Sequence, residues 1–237
     1  MTGKIKFIGL AFGACALLLT GCGSLGQSEK SKTARIDKVQ LTAAEQKKAA
    51  LLKQIDRKFE DPVAHFELGR LYQTDGLWAK AEYEYNIALS FDPAHRNAQA
   101  AMVKVLHDSG ETAKSELSAE IYMNQTCASA EESLRLAMAF QKQLMDDYAL
   151  ACYQQALRLA PNSAKINRQI GYYYLSKGDK VRAQDYLTRS FQLNPNQPEV
   201  AGELGRLGIA VRIPRKTEKS TKKLDKIVEQ SDEQAKP

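Results

Sequence analysis

The chain has 237 residues, a formal net charge of +6 and a pI of about 9.0. Such a basic balance can indicate a nucleic-acid partner, but here the positive charge lies near the two termini: residues 1–21 hold two lysines and no acid, and residues 212–226 hold seven lysines and arginines against two acids. The rest of the chain carries about −1, so we expect no nucleic-acid partner, and four cysteines are too few for a disulfide-rich scaffold.

The first 21 residues have the pattern of a secretory signal. Lys4 and Lys6 precede a 13-residue apolar run from Phe7 to Leu19. This run is shorter than the ~18 residues that a membrane-spanning helix needs, and small residues follow it. The pattern therefore predicts a signal peptide, with an uncleaved membrane anchor as the alternative.

The end of this segment reads Leu19-Thr20-Gly21-Cys22. It resembles the lipobox of bacterial lipoproteins, which implies that the chain is cut before Cys22 and that this cysteine carries the acyl chains (palmitate among them). Several acyl chains anchor a protein stably, whereas one binds a membrane only marginally. Gly23 in place of Asp favours the periplasmic face of the outer membrane in a Gram-negative source. A Gram-positive source would place the protein outside the cell membrane.

Residues 22–40 are polar, contain Gly and Ser, and show no periodicity, so they predict a flexible tether. A capping helix is predicted over 41–60. Thr42 and Glu45 have the spacing of a capping box, and apolar residues at helical spacing follow until Asp61-Pro62.

From Pro62 the sequence repeats with a period of 34 residues. Residues 62–95, 130–163 and 164–197 carry the pattern clearly; the first copy has Leu68-Gly69, Tyr72, Ala81, Tyr85, Ala88 and Pro93. The pattern resembles the tetratricopeptide repeat (TPR), in which each repeat is a pair of helices. The resemblance implies an all-α, right-handed superhelical solenoid of about four helix-turn-helix repeats.

Small residues mark the places where the two helices of a pair should approach closely. We expect Gly69 to face Ala81 and Gly171 to face Ala183. The second copy, 96–129, keeps the period but has Val103 at the glycine position, which predicts a wider helix crossing.

The remaining segments complete the predicted organisation. Residues 198–213 restart the pattern and stop, as a capping helix at the end of a stack does. Residues 214–237 are charged and predict a disordered tail, either solvated or lying on anionic lipid headgroups.

No motif in the chain predicts catalysis or a cofactor. The sequence lacks the common nucleophile, metal and phosphate-loop motifs. His65 occupies a helix-packing position, and Asp146-Asp147 should lie in a solvated turn rather than form a catalytic pair. Cys127 and Cys152 are either core residues or a disulfide. We expect a protein that is not an enzyme and that has no metal, no cofactor and no small-molecule substrate.

The function is then expected in a surface. The TPR resemblance implies a concave groove lined by the first helix of each pair, where a protein segment binds. We expect this partner to carry an apolar anchor and acidic groups. The predicted function is a lipid-anchored adaptor for proteins of the bacterial cell envelope, in assembly of a pilus or secretion channel, of outer-membrane proteins or of cell-wall enzymes. The alternative is a chaperone-like holder of unfolded exported proteins. The predicted groove residues are Phe66, Arg70, Lys104, Met138, Arg168, Tyr172 and Arg206.

Overall fold

The computed structural model describes residues 42–212. In that range the chain forms ten α-helices and no strand, and none of these helices is both long and apolar enough to cross a membrane. The predicted signal peptide, Cys22, the tether to residue 40 and the tail 214–237 lie outside the described residues. The helices are α1 (Ala43–Arg57), α2 (Pro62–Thr74), α3 (Trp78–Phe91), α4 (Arg96–Asp108), α5 (Thr112–Gln125), α6 (Ala130–Lys142), α7 (Asp146–Leu159), α8 (Ala164–Ser176), α9 (Lys180–Leu193) and α10 (Pro198–Arg206).

Consecutive helices pack as four antiparallel pairs: α2 with α3, α4 with α5, α6 with α7, and α8 with α9. Within each pair the turn contains a residue with left-handed backbone, at positions spaced 34 residues apart. These residues are Gly76 (φ 71°), Gly110 (φ 88°), Leu144 (φ 59°) and Gly178 (φ 75°). This conformation costs a non-glycine residue about 1–2 kcal/mol, so Leu144 is the strained member of the set.

Helix starts follow local side-chain chemistry. The predicted capping box at Thr42 is confirmed, because its side chain accepts from the Glu45 amide while Glu45 accepts from the Thr42 amide at 2.7 Å. Asp61 caps α2 by accepting from two backbone amides, and Pro62 stands at the first helical position, where no amide donor is needed. Ser129 and Ser163 cap α6 and α8, and each accepts from one backbone amide.

The close helix crossings differ in detail from the prediction. A Cβ added at Gly171 would lie 2.6 Å from Cγ of Leu187, and one at Gly69 would lie 2.6 Å from the Tyr85 ring. The nearest atoms at each glycine thus belong to the large residue that follows Ala81 or Ala183 by one turn, and at Gly69 the Ala81 carbonyl oxygen comes next, at 3.3 Å. The reason is that side chains in a helix lean towards its N-terminus, so a residue covers the turn before its own Cα.

In the second pair, α4 and α5 pack together without a glycine at the crossing. Val103 replaces the glycine, and Ser115 of α5 donates its hydroxyl to the Val103 carbonyl oxygen at 2.8 Å. Helices α4 and α5 contact each other less extensively than the two helices of the other three pairs. This agrees with the wider crossing that the sequence predicts.

A buried polar residue at the fourth position of each repeat ties successive pairs together. His65, Gln99, Ser133 and Asn167 are all at most 2% exposed. Each hydrogen-bonds a backbone carbonyl in the link before its own helix, with distances of 2.8, 2.7, 2.9 and 3.2 Å to the oxygens of Phe59, Pro93, Thr126 and Pro161. We call these four residues the link set. The sequence prediction assigned only packing to His65, although the 34-residue spacing of polar residues was a visible signal.

The first and last helices cover the ends of the stack. Leu51 of α1 packs with Ala64 and Leu68 of α2, and Val200 and Leu204 of α10 pack with the core beside α9. The described residues thus form an all-α TPR-type solenoid of four helix pairs with a capping helix at each end, as the sequence predicts. In this arrangement α2, α4, α6, α8 and α10 are the first helices of successive units.

Candidate partner-binding surface

The predicted groove residues lie on the first helices, and we call the surface that they share the first-helix face. Arg70, Lys104, Met138, Tyr172 and Arg206 occupy the same repeat position, 34 residues apart on α2, α4, α6, α8 and α10. Each is exposed or half-buried. The helix stack therefore brings residues from five distant parts of the sequence to equivalent places on one face.

Phe66 does not meet the expectation of an accessible groove residue. Its side chain is only 8% exposed and belongs to the core between the first and second pairs. Its ring lies 4.7 Å from the His95 ring and 5.9 Å from the Tyr85 ring, centroid to centroid. Position five of the repeat thus contributes to the core in the first unit, whereas its equivalent Arg168 is half-buried at the surface.

The cations that were predicted to attract an acidic partner already have carboxylate neighbours. Arg70 pairs with Glu67 at 2.8 Å, and Lys104 pairs with Asp108 at 2.6 Å. On the last two first helices, Arg168 pairs with Glu199 at 3.1 Å and Arg206 pairs with Glu203. Exposed pairs of this kind contribute about 0–1 kcal/mol each, so a partner can displace them. In the absence of a partner, each of these four cations is neutralised by its own carboxylate neighbour.

Tyr172 is half-buried rather than freely exposed. It packs against the cluster formed by Leu187, Val200 and Leu204, and burial raises the pKa of its hydroxyl. Tyr174, two residues later, is 7% exposed and belongs to the main core, as the sequence predicts. Truncation of Tyr172 will therefore lower stability as well as change the surface.

Two recesses on the first-helix face meet at Met138 and Lys142. A cleft of about 310 Å³ lies between the start of α4 and α6, with Asn97, Arg135, Met138 and Lys142 among its lining residues. A second cleft of about 280 Å³ is lined by Met138, Gln141, Lys142 and Gln169. Met138 and Lys142 are four residues apart on α6 and so share one side of the helix.

Lys142 differs from the predicted cations in its electrostatic surroundings. Its exposed side chain also lines a third cleft of about 360 Å³, which adjoins Arg70, Gln73 and Asp108. Among residues 42–212 no carboxylate forms an ion pair with it, while neighbouring Arg96 and Arg135 bind Glu132 and Glu131 at 2.9 and 3.4 Å. The sequence prediction missed Lys142; its spacing of four residues from Met138 was the available signal.

The adjacent carboxylates Asp146 and Asp147 do not lie in the turn where the sequence predicts them. Asp146 and Asp147 form the first turn of α7 rather than the turn before it. Residues 144–145, Leu-Met, occupy the place of the turn dipeptides in the other units, because the 34-residue register puts Leu144 opposite the turn glycines. Within residues 42–212 no group of three or more His, Cys, Asp or Glu side chains is arranged for a metal ion.

The two cysteines of the described range are unpaired. Cys127 is exposed and Cys152 is buried in the core. Burial raises the pKa of the Cys152 thiol to about 12, so the thiol stays neutral and acts as a packing group.

Comparison with known proteins finds partial similarity to several proteins. No protein-family model matches the chain. It is 28% identical over 145 residues to human protein O-mannosyl-transferase TMTC1, covering 58% of this chain and 16% of that protein. It is 27% identical over 150 residues to the type IV pilus assembly protein PilF of Pseudomonas aeruginosa, covering 61% of this chain and 58% of PilF. A thermophilic TPR protein of Thermus thermophilus aligns with a TM-score of 0.40 and 16% identity, over 68% of this chain and 88% of that one. The chain thus spans less than two thirds of each curated relative.

Proposed function

We propose that this protein is an interaction scaffold that binds a segment of a partner protein on its first-helix face, centred on Met138 and Lys142. The observation that carries the proposal is that two clefts adjoin at these residues and that Lys142 has no carboxylate partner among the described residues. A cation without a partner beside a flexible thioether suits a segment with an acidic group next to an apolar side chain. The outer predicted cations would contribute by exchanging their own carboxylates for those of the partner.

We further propose that the scaffold is lipid-anchored at Cys22 and works at the bacterial cell envelope. The lipobox-like sequence supports the anchor, and the likeness to a pilus assembly protein over 61% of the chain supports a role in assembly of an envelope machine such as a pilus. On this proposal the periplasmic face of the outer membrane is the location. Outer-membrane proteins and cell-wall enzymes are the other partner classes that the proposal covers.

Binding of defined peptides tests the surface. Two pools of synthetic peptides have the same apolar residues. In one pool the residues between the apolar ones are acidic, and in the other pool they are basic. We expect the acidic pool to bind the wild type and to bind Lys142→Glu roughly tenfold more weakly, the size of a strong interface contact. Lys53→Glu on α1 is the matched control, since it makes the same charge change at an exposed site away from the clefts.

Two outcomes would contradict this assignment. Equal loss of binding in Lys142→Glu and Lys53→Glu would mean that only net charge matters. Equal binding of both pools by the wild type would favour the chaperone-like holder of unfolded chains. The melting temperature of each variant, followed by circular dichroism, checks that the fold is intact.

The anchor has its own experiment. Because acylation needs the thiol, Cys22→Ser should move the protein from the detergent phase to the aqueous phase of a phase-partition assay. The mass of the wild type should exceed that of the cut polypeptide by the mass of the acyl groups. Equal partitioning of the two proteins, with no added mass, would exclude lipidation.

A further inference from the structure

A separate cleft lies at the edge of the stack where the turns within the pairs are found. It has a volume of about 590 Å³ and is formed by the end of α4, the start of α5, the turn before α7 and the start of α7. We call it the turn cleft. Leu144, Met145 and Tyr148 give it an apolar side, and Leu144 is 77% exposed in its left-handed conformation. Of the residues assigned to the first-helix face, Lys104 also lines this cleft.

The charged groups of the turn cleft leave an excess of negative charge. Lys104 pairs with Asp108 at 2.6 Å, His107 places Nδ1 3.4 Å from the same carboxylate, and Asp146 accepts from Lys177 at 2.6 Å. Glu116 and Asp147 also line the cleft and form no ion pair within the described range.

A polar atom of the cleft also lacks a partner. The second oxygen of Asp146, Oδ1, is buried and has no hydrogen-bond donor among residues 42–212. A buried acceptor without a donor is unfavourable. The accessible groups that the cleft offers to a basic segment are its apolar side and two carboxylates, Glu116 and Asp147, that have no ion-pair partner among the described residues.

The chain itself contains a segment with this chemistry. Residues 212–226 contain seven Lys or Arg and two acids. Three apolar residues at helical spacing, Leu224, Ile227 and Val228, lie at and just after the end of this stretch. We propose that residues 215–228 of the same chain dock in the turn cleft, with cations near Glu116 and Asp147 and apolar side chains against Leu144.

The direction of the helices brings this segment to the correct edge. Helices α4, α6, α8 and α10 are first helices of successive units, so each ends at the turn edge of the stack. The chain therefore leaves α10 at the edge that carries the turn cleft. From Arg212 to Ile227 there are 15 residues, which span up to roughly 50 Å when extended. Between α10 and α6 there are four helix-to-helix steps of about 8–10 Å each, so the segment can reach the cleft.

Photo-crosslinking in the full chain tests the proposal. A benzophenone side chain replaces Leu144, and the crosslinked peptides are identified by mass spectrometry. We expect crosslinks to peptides from 215–228 in a product with the mass of one chain. The matched control carries the benzophenone at Tyr83, which is also exposed at 62% but lies on α3 away from the cleft. It should give no crosslink to the tail.

Conservative charge variants show whether the carboxylates hold the segment. Glu116→Gln with Asp147→Asn should reduce the crosslink to the level of the Tyr83 control, and about 0.5 M salt should have the same effect. Glu120→Gln, one turn after Glu116 on the same helix, should leave it unchanged. Crosslinks that persist in the double variant, or that join two chains, would overturn the proposal. A tail that gives no crosslink at Leu144 and binds vesicles of anionic lipid at physiological salt would also overturn it.

Discussion

The second and fourth helix pairs share one repeat plan but close their helix crossings by different chemistry. In the fourth pair, Gly171 lets Leu187 lie directly on the backbone of α8. In the second pair, Val103 keeps the helices further apart and Ser115 fills the crossing with a hydrogen bond. Both pairs nevertheless keep the glycine turn and the buried polar residue of the link set, Gln99 or Asn167. The repeat period is therefore maintained by turns and links, while the crossing is adjustable.

The largest effect should come from removing the close crossing of the fourth pair. Gly171→Ala places a methyl group 2.6 Å from Cγ of Leu187, and overpacking of this kind costs about 1–3 kcal/mol. Because each repeat contacts mainly its neighbours, hydrogen exchange should accelerate first in α8, α9 and α10. Urea unfolding measures the total change in the free energy of unfolding.

Gly205→Ala is a matched control for that variant. Gly205 has the same repeat position on α10, but a Cβ there meets no atom within 4 Å. The change should be neutral or stabilise the chain by up to about 1 kcal/mol, since alanine favours a helix over glycine. Destabilisation by both variants to the same extent would mean that the crossing with Leu187 is not the cause.

The next largest effect should come from the link set in the second pair. Gln99 donates to the Pro93 carbonyl oxygen at 2.7 Å and to Gln125 at 2.9 Å while fully buried. Gln99→Met keeps the shape and removes these two bonds as well as the one that Arg96 donates to Gln99 Oε1 at 2.9 Å, which should lower the free energy of unfolding by about 1–3 kcal/mol. The exposed Gln154→Met on α7 is the control. A similar urea midpoint for both variants would show that the link contributes no stability.

A smaller effect of opposite sign is expected at the strained turn. Leu144→Gly relieves the left-handed strain of about 1–2 kcal/mol, partly offset by the greater freedom of glycine in the unfolded chain, about 0.4–1 kcal/mol. The side chain is exposed, so little packing is lost, and the thermal midpoint should rise. Gly178→Leu at the equivalent turn should lower it. If Leu144→Gly lowers the midpoint, Leu144 has packing partners that outweigh its strain.

The smallest effect concerns the ion pairs between neighbouring units. Lys165 of α8 donates to Glu131 of α6 at 2.7 Å and lowers the pKa of that carboxyl. A carboxyl whose pKa is lower in the folded state stabilises above its unfolded pKa, and this contribution is lost as the pH falls through the folded value. Glu131→Gln should therefore narrow the stability difference between about pH 7 and about pH 3 slightly. An unchanged pH profile would show that this exposed pair adds nothing measurable.

The local signals of the sequence were sufficient for much of the fold. The capping box at Thr42, the turn glycines and the 34-residue period each act over short distances along the chain, so they predicted the helices and their pairing. Lys142 could have been found in the same way, from its spacing to Met138. The buried state of Phe66 could not, because it depends on how the second unit packs over the first.

The repeat pattern alone predicted the class of fold, the number of repeats and the face on which a partner is expected. These properties follow from periodicity, since residues at equal repeat positions must lie on equivalent surfaces. The packing of the helices, in contrast, sets which cations have partners, which side chain each glycine contacts, and where the clefts lie. Glu199 reaches Arg168 across 31 residues, and Gln143 meets Gln73 across 70. Such contacts depend on how rigid helix pairs are stacked in space, which no local pattern of residues specifies.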